Sequence, residues 1–243
     1  MKNAFCLITI QPNDIWLDFL QKFTSTYDVY IMIDDNSYNC TENISKYPNI
    51  NFIQIEKNKC KTAGYIYSST SAISDKDIIA WDKALYYFTI ENRNYDNIWF
   101  CEDDVYIHSI NVIEKLDHDY FTADLICKEN IINNTGTLYD WYHMYNAVGY
   151  FELPWYNSMI CVCRISLKLL DNMYKYVSHF GKLNFIELMI PTIANQNGMV
   201  IVTPPELHTV QYRTEWNKDD IDKSKIYHPF KNMNDHLYMR NLK

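Results

Sequence analysis

The sequence is poor in glycine. Five glycines in 243 residues leave no glycine-rich turn to press backbone N–H groups against a phosphate, which excludes a P-loop or a dinucleotide-binding fingerprint. Paired cysteines are also missing. The seven cysteines are an odd set without the close spacing of a zinc ribbon, and Cys161 and Cys163 alternate within an apolar run as buried strand thiols do. No apolar run is long enough for a membrane helix, and the short segment Ala4–Ile10 lacks the layout of a signal peptide. A reducing cytoplasm is therefore expected. The acceptor patterns Asn39-Cys40-Thr41, Asn43-Ile44-Ser45 and Asn133-Asn134-Thr135 are expected to stay unglycosylated there. Basic clusters are lacking too: the formal net charge is −8, which argues against a nucleic-acid partner, because phosphate backbones are held by grouped Lys and Arg.

What is present is apolar and aromatic. Hydrophobic residues make up 48% of the chain and aromatics 16%, with 21 tyrosines, enough for one large core and for rings that stack on sugars or bases. A single domain over 1–243 is expected. Phe5–Ile10 reads as a strand closed by Gln11-Pro12-Asn13, with Asp14 capping an amphipathic helix over 15–23. Val29–Ile33 and Ile50–Ile55 read as further strands. The helical spacing of Trp81, Leu85 and Phe88 predicts a helix over 81–92, leading into a strand over 98–105. The second half is less regular: strands over 123–127, 159–165 and 199–202, a helix over 166–177, a helix over 184–194 interrupted by Pro191, and a charged mobile loop over 215–226.

Two strand ends gather acids. The strand over 29–33 ends in Asp34-Asp35, and Asn97-Ile98-Trp99-Phe100-Cys101 runs into Glu102-Asp103-Asp104. Ligands of an open α/β sheet sit beyond the carboxyl ends of its strands. Three adjacent carboxylates repel one another and are stabilised by a cation, and carboxylate oxygens suit Mg²⁺ or Mn²⁺ bridging to a phosphate. Taken alone, the triplet reads equally well as a solvated acidic turn, and Asp34-Asp35 as an Asx turn or helix cap.

The triplet, the helix Trp81-Asp82-Lys83-Ala84-Leu85-Tyr86-Tyr87-Phe88 before it and the tail Tyr227-His228-Pro229-Phe230-Lys231 together resemble the nucleotide-diphospho-sugar glycosyltransferases of the glycosyltransferase A fold. The subgroup resembled occurs in plants, protists and large DNA viruses, and the resemblance runs from Phe5 to about Lys231. It implies an α/β, Rossmann-like fold with a mixed, mostly parallel central sheet flanked by helices. Residues 1–107 would form the donor-binding half, and 108–243 the acceptor-binding half with a metal-binding tail. It also implies a hexosyl- or deoxyhexosyl-transferase using Mn²⁺ or Mg²⁺, a uridine-linked donor and a glycan or glycoprotein acceptor, in the host cytoplasm if the chain is viral.

By that resemblance Asp104 is the metal ligand, joined by His228; Glu102 either sits nearer the ribose or binds the metal as a second ligand, and Asp103 orients its neighbours. The first acid of the motif is Glu where the family has Asp, which leaves the role of Glu102 less defined than that of Asp104. Ile10-Gln11-Pro12 and Asp34 or Asp35 would hold the base and ribose, and Lys83 and Lys231 would offer cations to the donor. Inversion needs a carboxylate base. Glu187, among the apolar residues of Phe185–Pro191, is the candidate, with Glu152 and Asp140 as fallbacks, while Trp141, Tyr142, Trp155 and Tyr156 could stack on a sugar. Two other readings stay open: a nucleotidyltransferase, disfavoured by the missing glycine loop, and a non-catalytic carbohydrate-binding or scaffold protein with a degenerate transferase fold. Oligomeric state is not legible.

Overall fold

A computed structural model describes residues 2–69, 78–137 and 146–241. The chain opens with β1 (Asn3–Thr9), α1 (Asp14–Leu20), β2 (Asp28–Ile33), α2 (Thr41–Lys46), β3 (Ile50–Ile53), α3 (Lys57–Thr62), α4 (Ala80–Tyr86) and β4 (Asn97–Glu102). Next come β5 (Tyr106–Ile107), α5 (Ile110–Asp119), β6 (Leu125–Ile126), β7 (Ile131–Asn133), β8 (Trp155–Asn157) and β9 (Val162–Ser166). The order closes with α6 (Leu167–Phe180), α7 (Ile186–Gln196), β10 (Ile201–Val202), β11 (Ile226–Tyr227) and α8 (Met233–Asn241).

Seven strands form one sheet in the order β10-β6-β9-β4-β1-β2-β3. All pairings are parallel except those of β9, which runs antiparallel to both β4 and β6. The α/β class and the mixed, mostly parallel sheet flanked by helices are as expected. Strands from both halves of the chain meet at the β4–β9 pair, so one sheet runs through the expected donor and acceptor halves alike.

Both faces of this sheet are covered, which explains why its strands read as continuous apolar runs rather than alternating ones. Ala4, Cys6 and Ile8 of β1, with Ile98 and Phe100 of β4, pack under α4, α6 and α7. Phe5 and Leu7, with Trp99 and Cys101, pack against α1 and α5 on the other face. Arg164 of β9 is fully buried on that second face. Its guanidinium donates to Asp117 Oδ1 (2.7 Å), Tyr120 O (2.7 Å) and Ala123 O (2.9 Å), and Asp117 also accepts from Trp99 Nε1 and Tyr27 OH. A buried charge is tolerated only with such partners.

Local departures from the predicted elements have physical causes. Asn13 rather than Asp14 caps α1, its side chain accepting from Trp16 N at 3.0 Å. Helix α4 stops at Tyr86 and widens into a π turn over Tyr87–Glu91, closed by Asn92 N donating to Tyr87 O at 2.8 Å. Pro191 lies inside α7 without breaking it. Having no N–H, it leaves the carbonyl of Glu187 without its helical donor, and Ser158 N supplies one from outside the helix at 2.9 Å. The charged stretch 215–226 is anchored: Lys218 pairs with Asp235 at 2.6 Å, Trp216 packs edge-on against Tyr227, and the stretch ends in β11.

Two of the scarce glycines meet where α3 approaches the end of α6. Gly64 has φ +79°, and a Cβ there would sit 2.8 Å from the carbonyl oxygen of Gly181. Among the described residues no helix is long and apolar enough to cross a membrane.

Candidate active site

The carboxyl ends of β1, β2 and β4 border a cleft of about 240 Å³ whose lining includes Thr9, Ile10, Asp34, Trp81, Glu102, Asp103 and Asp104. These are the ends at which an open α/β sheet presents its ligand.

Each acid of the triplet is held by a different element. Trp81 of α4 donates from Nε1 to Glu102 Oε1 at 2.7 Å. Thr9, the last residue of β1, donates from Oγ1 to Asp103 Oδ2 at 2.5 Å, and Trp16 of α1 donates to the Asp103 carbonyl at 2.7 Å. Asp103 is thus tied to the end of β1 through Thr9. Burial, together with the nearby Asp104 charge, raises the carboxyls of Glu102 and Asp103 above the usual range.

The same cleft collects the end of β2. Asp34 lines it, whereas Asp35 accepts from Gln11 Nε2 at 2.6 Å and from Ser37 N at 2.8 Å, tying the loop after β1 to the loop after β2. Pro12 is buried beneath that loop and Ile10 is 70% exposed beside it. Lys83 is fully buried: its ammonium donates to Asp34 O and to Asn36 Oδ1 (2.9 Å) and lies 3.2 Å from Asp34 Oδ1. It braces the β2 loop from below and does not line the cleft.

The tail closes the site from above. β11 pairs antiparallel with β5, only two residues beyond Asp104, which brings His228 onto the triplet. His228 Nε2 lies 3.4 Å from Asp104 Oδ1, and Phe230 N donates to the Asp104 carbonyl at 2.6 Å. On its other side the ring donates from Nδ1 to Gln211 O at 2.8 Å, which fixes the tautomer and leaves Nε2 facing the acids. Burial opposes a charged ring, but the hydrogen bond and charge of Asp104 prevail and raise the pKa of His228 above its usual value. Lys231, the other tail residue expected at the donor, is exposed.

Ligand atoms of Glu102, His228 and Cys161 all lie within 4.8 Å of one another. Asp104 is not a member of this group and meets it through His228, 3.4 Å from Nε2. Oxygen and imidazole donors, a histidine locked by its far nitrogen and crowded carboxylates with raised pKa values fit a divalent cation.

Glu187 occupies the first turn of α7. Burial and the charge of Glu102 push its carboxyl up to about 8, against the opposing influence of His228. It is therefore within electrostatic reach of the triplet. Immediately before it, Asn184 and Phe185 line a second cleft of about 270 Å³ with Tyr67, Asn146, Tyr150 and Lys182. Tyr67 has φ +72°, in the left-handed region unfavourable for an aromatic residue, and the Lys182 ammonium lies 4.4 Å from the Tyr150 ring centroid. Trp155, expected as a stacking surface, is buried against Leu188 and Ala147, and Glu152 is exposed. Asp140, Trp141 and Tyr142 lie outside the described residues.

Four site residues were not visible in the sequence as such. Trp81 shows only helical spacing with Leu85 and Phe88, Trp16 and Thr9 sit unmarked in the predicted helix over 15–23 and the strand before it, and Cys161 reads as a buried thiol. A polar-tipped aromatic just before an acidic strand end is the one signal that could have marked Trp81, since a buried indole N–H needs an acceptor.

The sequence matches no protein-family model and no curated protein. Solved structures with a similar arrangement of elements include the galactosyltransferase LgtC in complex with donor and acceptor sugar analogues, at 10% identity and a TM-score of 0.46, over 82% of this chain and 72% of that one. Mouse xyloside xylosyltransferase 1, in its apo form, is 12% identical with a TM-score of 0.47, over 93% and 96% of the two chains. The bifunctional glycosyltransferase WbbM is 12% identical with a TM-score of 0.49, over 99% of this chain and 49% of its own.

Proposed function

We propose that this chain is a metal-dependent glycosyltransferase that moves a hexosyl or deoxyhexosyl group from a uridine-linked diphosphate donor to a glycan or glycoprotein hydroxyl, with inversion. The observation that carries this reading is that Glu102 and His228 bring ligand atoms within 4.8 Å of each other at the end of β4, with Asp104 3.4 Å from His228 Nε2 and Glu187 within electrostatic reach. Acids gathered at one end of a parallel sheet, without a glycine loop, suit a diphosphate that arrives with its own counter-cation.

Glu102, Asp104 and His228 would hold Mn²⁺ or Mg²⁺, which when bound neutralises the diphosphate and assists its departure. The protein's residues supply the rest. Ile10 and Asp34 border the nucleoside, with the loop geometry set by the Gln11–Asp35 hydrogen bond and by Lys83 beneath it. Asp103 is spent on Thr9, which keeps the peptide between Glu102 and Asp104 in place. The acceptor hydroxyl oxygen attacks the anomeric carbon on the face opposite the diphosphate. Its proton passes to Glu187 as the new glycosidic bond forms and the bond to the diphosphate oxygen breaks. Partial desolvation keeps Glu187 basic enough for that transfer. In this reading residues 1–107 serve the donor, and 108–243 serve the acceptor and complete the cation site.

A panel of nucleotide sugars, assayed for hydrolysis and transfer with and without Mn²⁺, tests the proposal. One donor should be turned over in a metal-dependent way, and Asp104→Ala should abolish turnover while leaving the thermal transition intact. Metal-independent turnover, or an Asp104→Ala variant as active as the wild type, would overturn the assignment.

A further inference from the structure

Cys161 stands immediately before β9, which among the described residues is the only antiparallel strand of the central sheet, and its carbonyl accepts Glu102 N–H at 2.8 Å. That bond extends the β4–β9 ladder by one residue and fixes the thiol beside the Glu102 side chain. Its Sγ completes a triangle with a Glu102 oxygen and a His228 nitrogen, no edge longer than 4.8 Å. Cys6, Cys60, Cys101, Cys127 and Cys163 are also buried, but among the described residues only Cys161 takes part in such a group of potential ligand atoms.

A thiol changes what the site prefers. Carboxylates and an imidazole alone accept Mn²⁺ or Mg²⁺, but a sulfur ligand favours borderline ions such as Zn²⁺ and Co²⁺ and contributes little to a hard ion. We propose that Cys161 is a ligand of the divalent-cation site, so that the site takes Zn²⁺ or Co²⁺ through a sulfur–metal bond in preference to Mg²⁺. This rests on the reading of Glu102, Asp104 and His228 as one cation site. Ligation replaces the S–H bond by an S–metal bond and releases one proton to water, with no change of oxidation state. A loosely bound Mn²⁺ and a tightly bound Zn²⁺ then compete for the same place, and traces of Zn²⁺ set the level of activity measured in Mn²⁺.

Titration of the 243-residue chain with Co²⁺ reads the ligand set directly, independent of turnover. The wild type should show both the visible d–d bands of bound Co²⁺ and a near-ultraviolet sulfur-to-cobalt charge-transfer band. In Cys161→Ser the d–d bands should persist, the charge-transfer band should vanish, and the preference for Zn²⁺ over Mn²⁺ in competition should fall by on the order of tenfold. Cys40→Ser, whose thiol lies outside the site, should keep both signals. Co²⁺ bound by the wild type without a charge-transfer band overturns the role of Cys161 whether or not the serine variant folds, and leaves the cation site standing. Absence of any Co²⁺ absorption, together with donor turnover unaffected by chelator, overturns the cation site and this proposal with it. Donor turnover absent under every metal, with the charge-transfer band present, removes the transferase reading and leaves the ligand assignment intact.

Discussion

Trp81 Nε1 donates to Glu102 Oε1 at 2.7 Å, so helix α4 holds the final carboxylate of β4 from the opposite wall of the cleft. The bond favours the ionised form of Glu102 against the burial that raises its pKa. Helix α4 is itself fixed at its start by Asp82, whose carboxylate accepts Ile79 N (2.8 Å) and Ser68 N (3.0 Å). A tryptophan pinned in this way presents its N–H with little freedom to turn away.

Trp81→Phe keeps the ring but removes the donor. A hydrogen bond to a charged group contributes roughly 1.5–3 kcal/mol, so Mn²⁺ affinity should fall on the order of tenfold or more, with a small change in stability. Calorimetric titration of metal into both proteins measures the difference, and equal affinities would separate Trp81 from the site.

His228→Ala should weaken Mn²⁺ binding by at least about tenfold. In the wild type the proton competes with the metal for Nε2, and the pKa of His228 is raised above its usual value of 6.5. Metal affinity should therefore decline as pH falls through that raised pKa, and the alanine variant should lose most of this slope. Titrations at several pH values check both statements.

Glu187 holds its proton up to about 8. A base must be unprotonated, so the transfer rate should rise with pH and level off at or below about 8, because a bound cation offsets the Glu102 charge. Glu187→Gln should remove transfer at all pH values. Folding supplies an independent readout. Between about 4.5 and 8 the native state binds more protons at this position than the unfolded chain, so this group's contribution to stability falls as pH rises through that window. Thermal melts of Glu187→Gln should lack that component.

Lys83→Met should loosen the loop formed by Asp34 and Asn36, because three oxygens lose their common cation. The expected signature is a donor KM raised on the order of tenfold with a smaller change in kcat, as for a group that supports binding without touching reacting atoms. A pure kcat defect in steady-state kinetics would place Lys83 at the chemistry instead.

Arg164→Met leaves Asp117, largely but not fully covered by Trp99, Tyr27 and Asn3, without a counter-charge. Breaking a buried pair from one side costs about 3–5 kcal/mol, and urea unfolding should show a loss of that order. Adding Asp117→Asn should recover part of it.

The large strands were legible because burial on both faces leaves β1, β2 and β4 as unbroken apolar runs that end where water begins. The acids that follow them could be placed for the same reason. Glu187 was legible as a lone carboxylate in apolar company, a pattern that desolvation makes conspicuous. The two- and three-residue strands β5, β7, β8 and β11 were not, since pairing rather than local preference creates them. Pro191 misled for a definable reason: the carbonyl it orphans finds Ser158 N, a partner distant in sequence. Cys161 was read as core because alternation in a strand looks the same whether a thiol meets leucine or glutamate. Lys83 looked available because sequence carries no record of which carbonyls close over a buried ammonium.

On a nascent chain, Asp104 leaves the ribosome long before Tyr227 and His228 are made. The acids at the end of β4 can therefore gather while their imidazole partner is still unsynthesised, and closure waits for β11 to add to β5. Docking of the tail is therefore the step at which Asp104 acquires its imidazole partner, tying the far end of the chain to the acids at the end of β4.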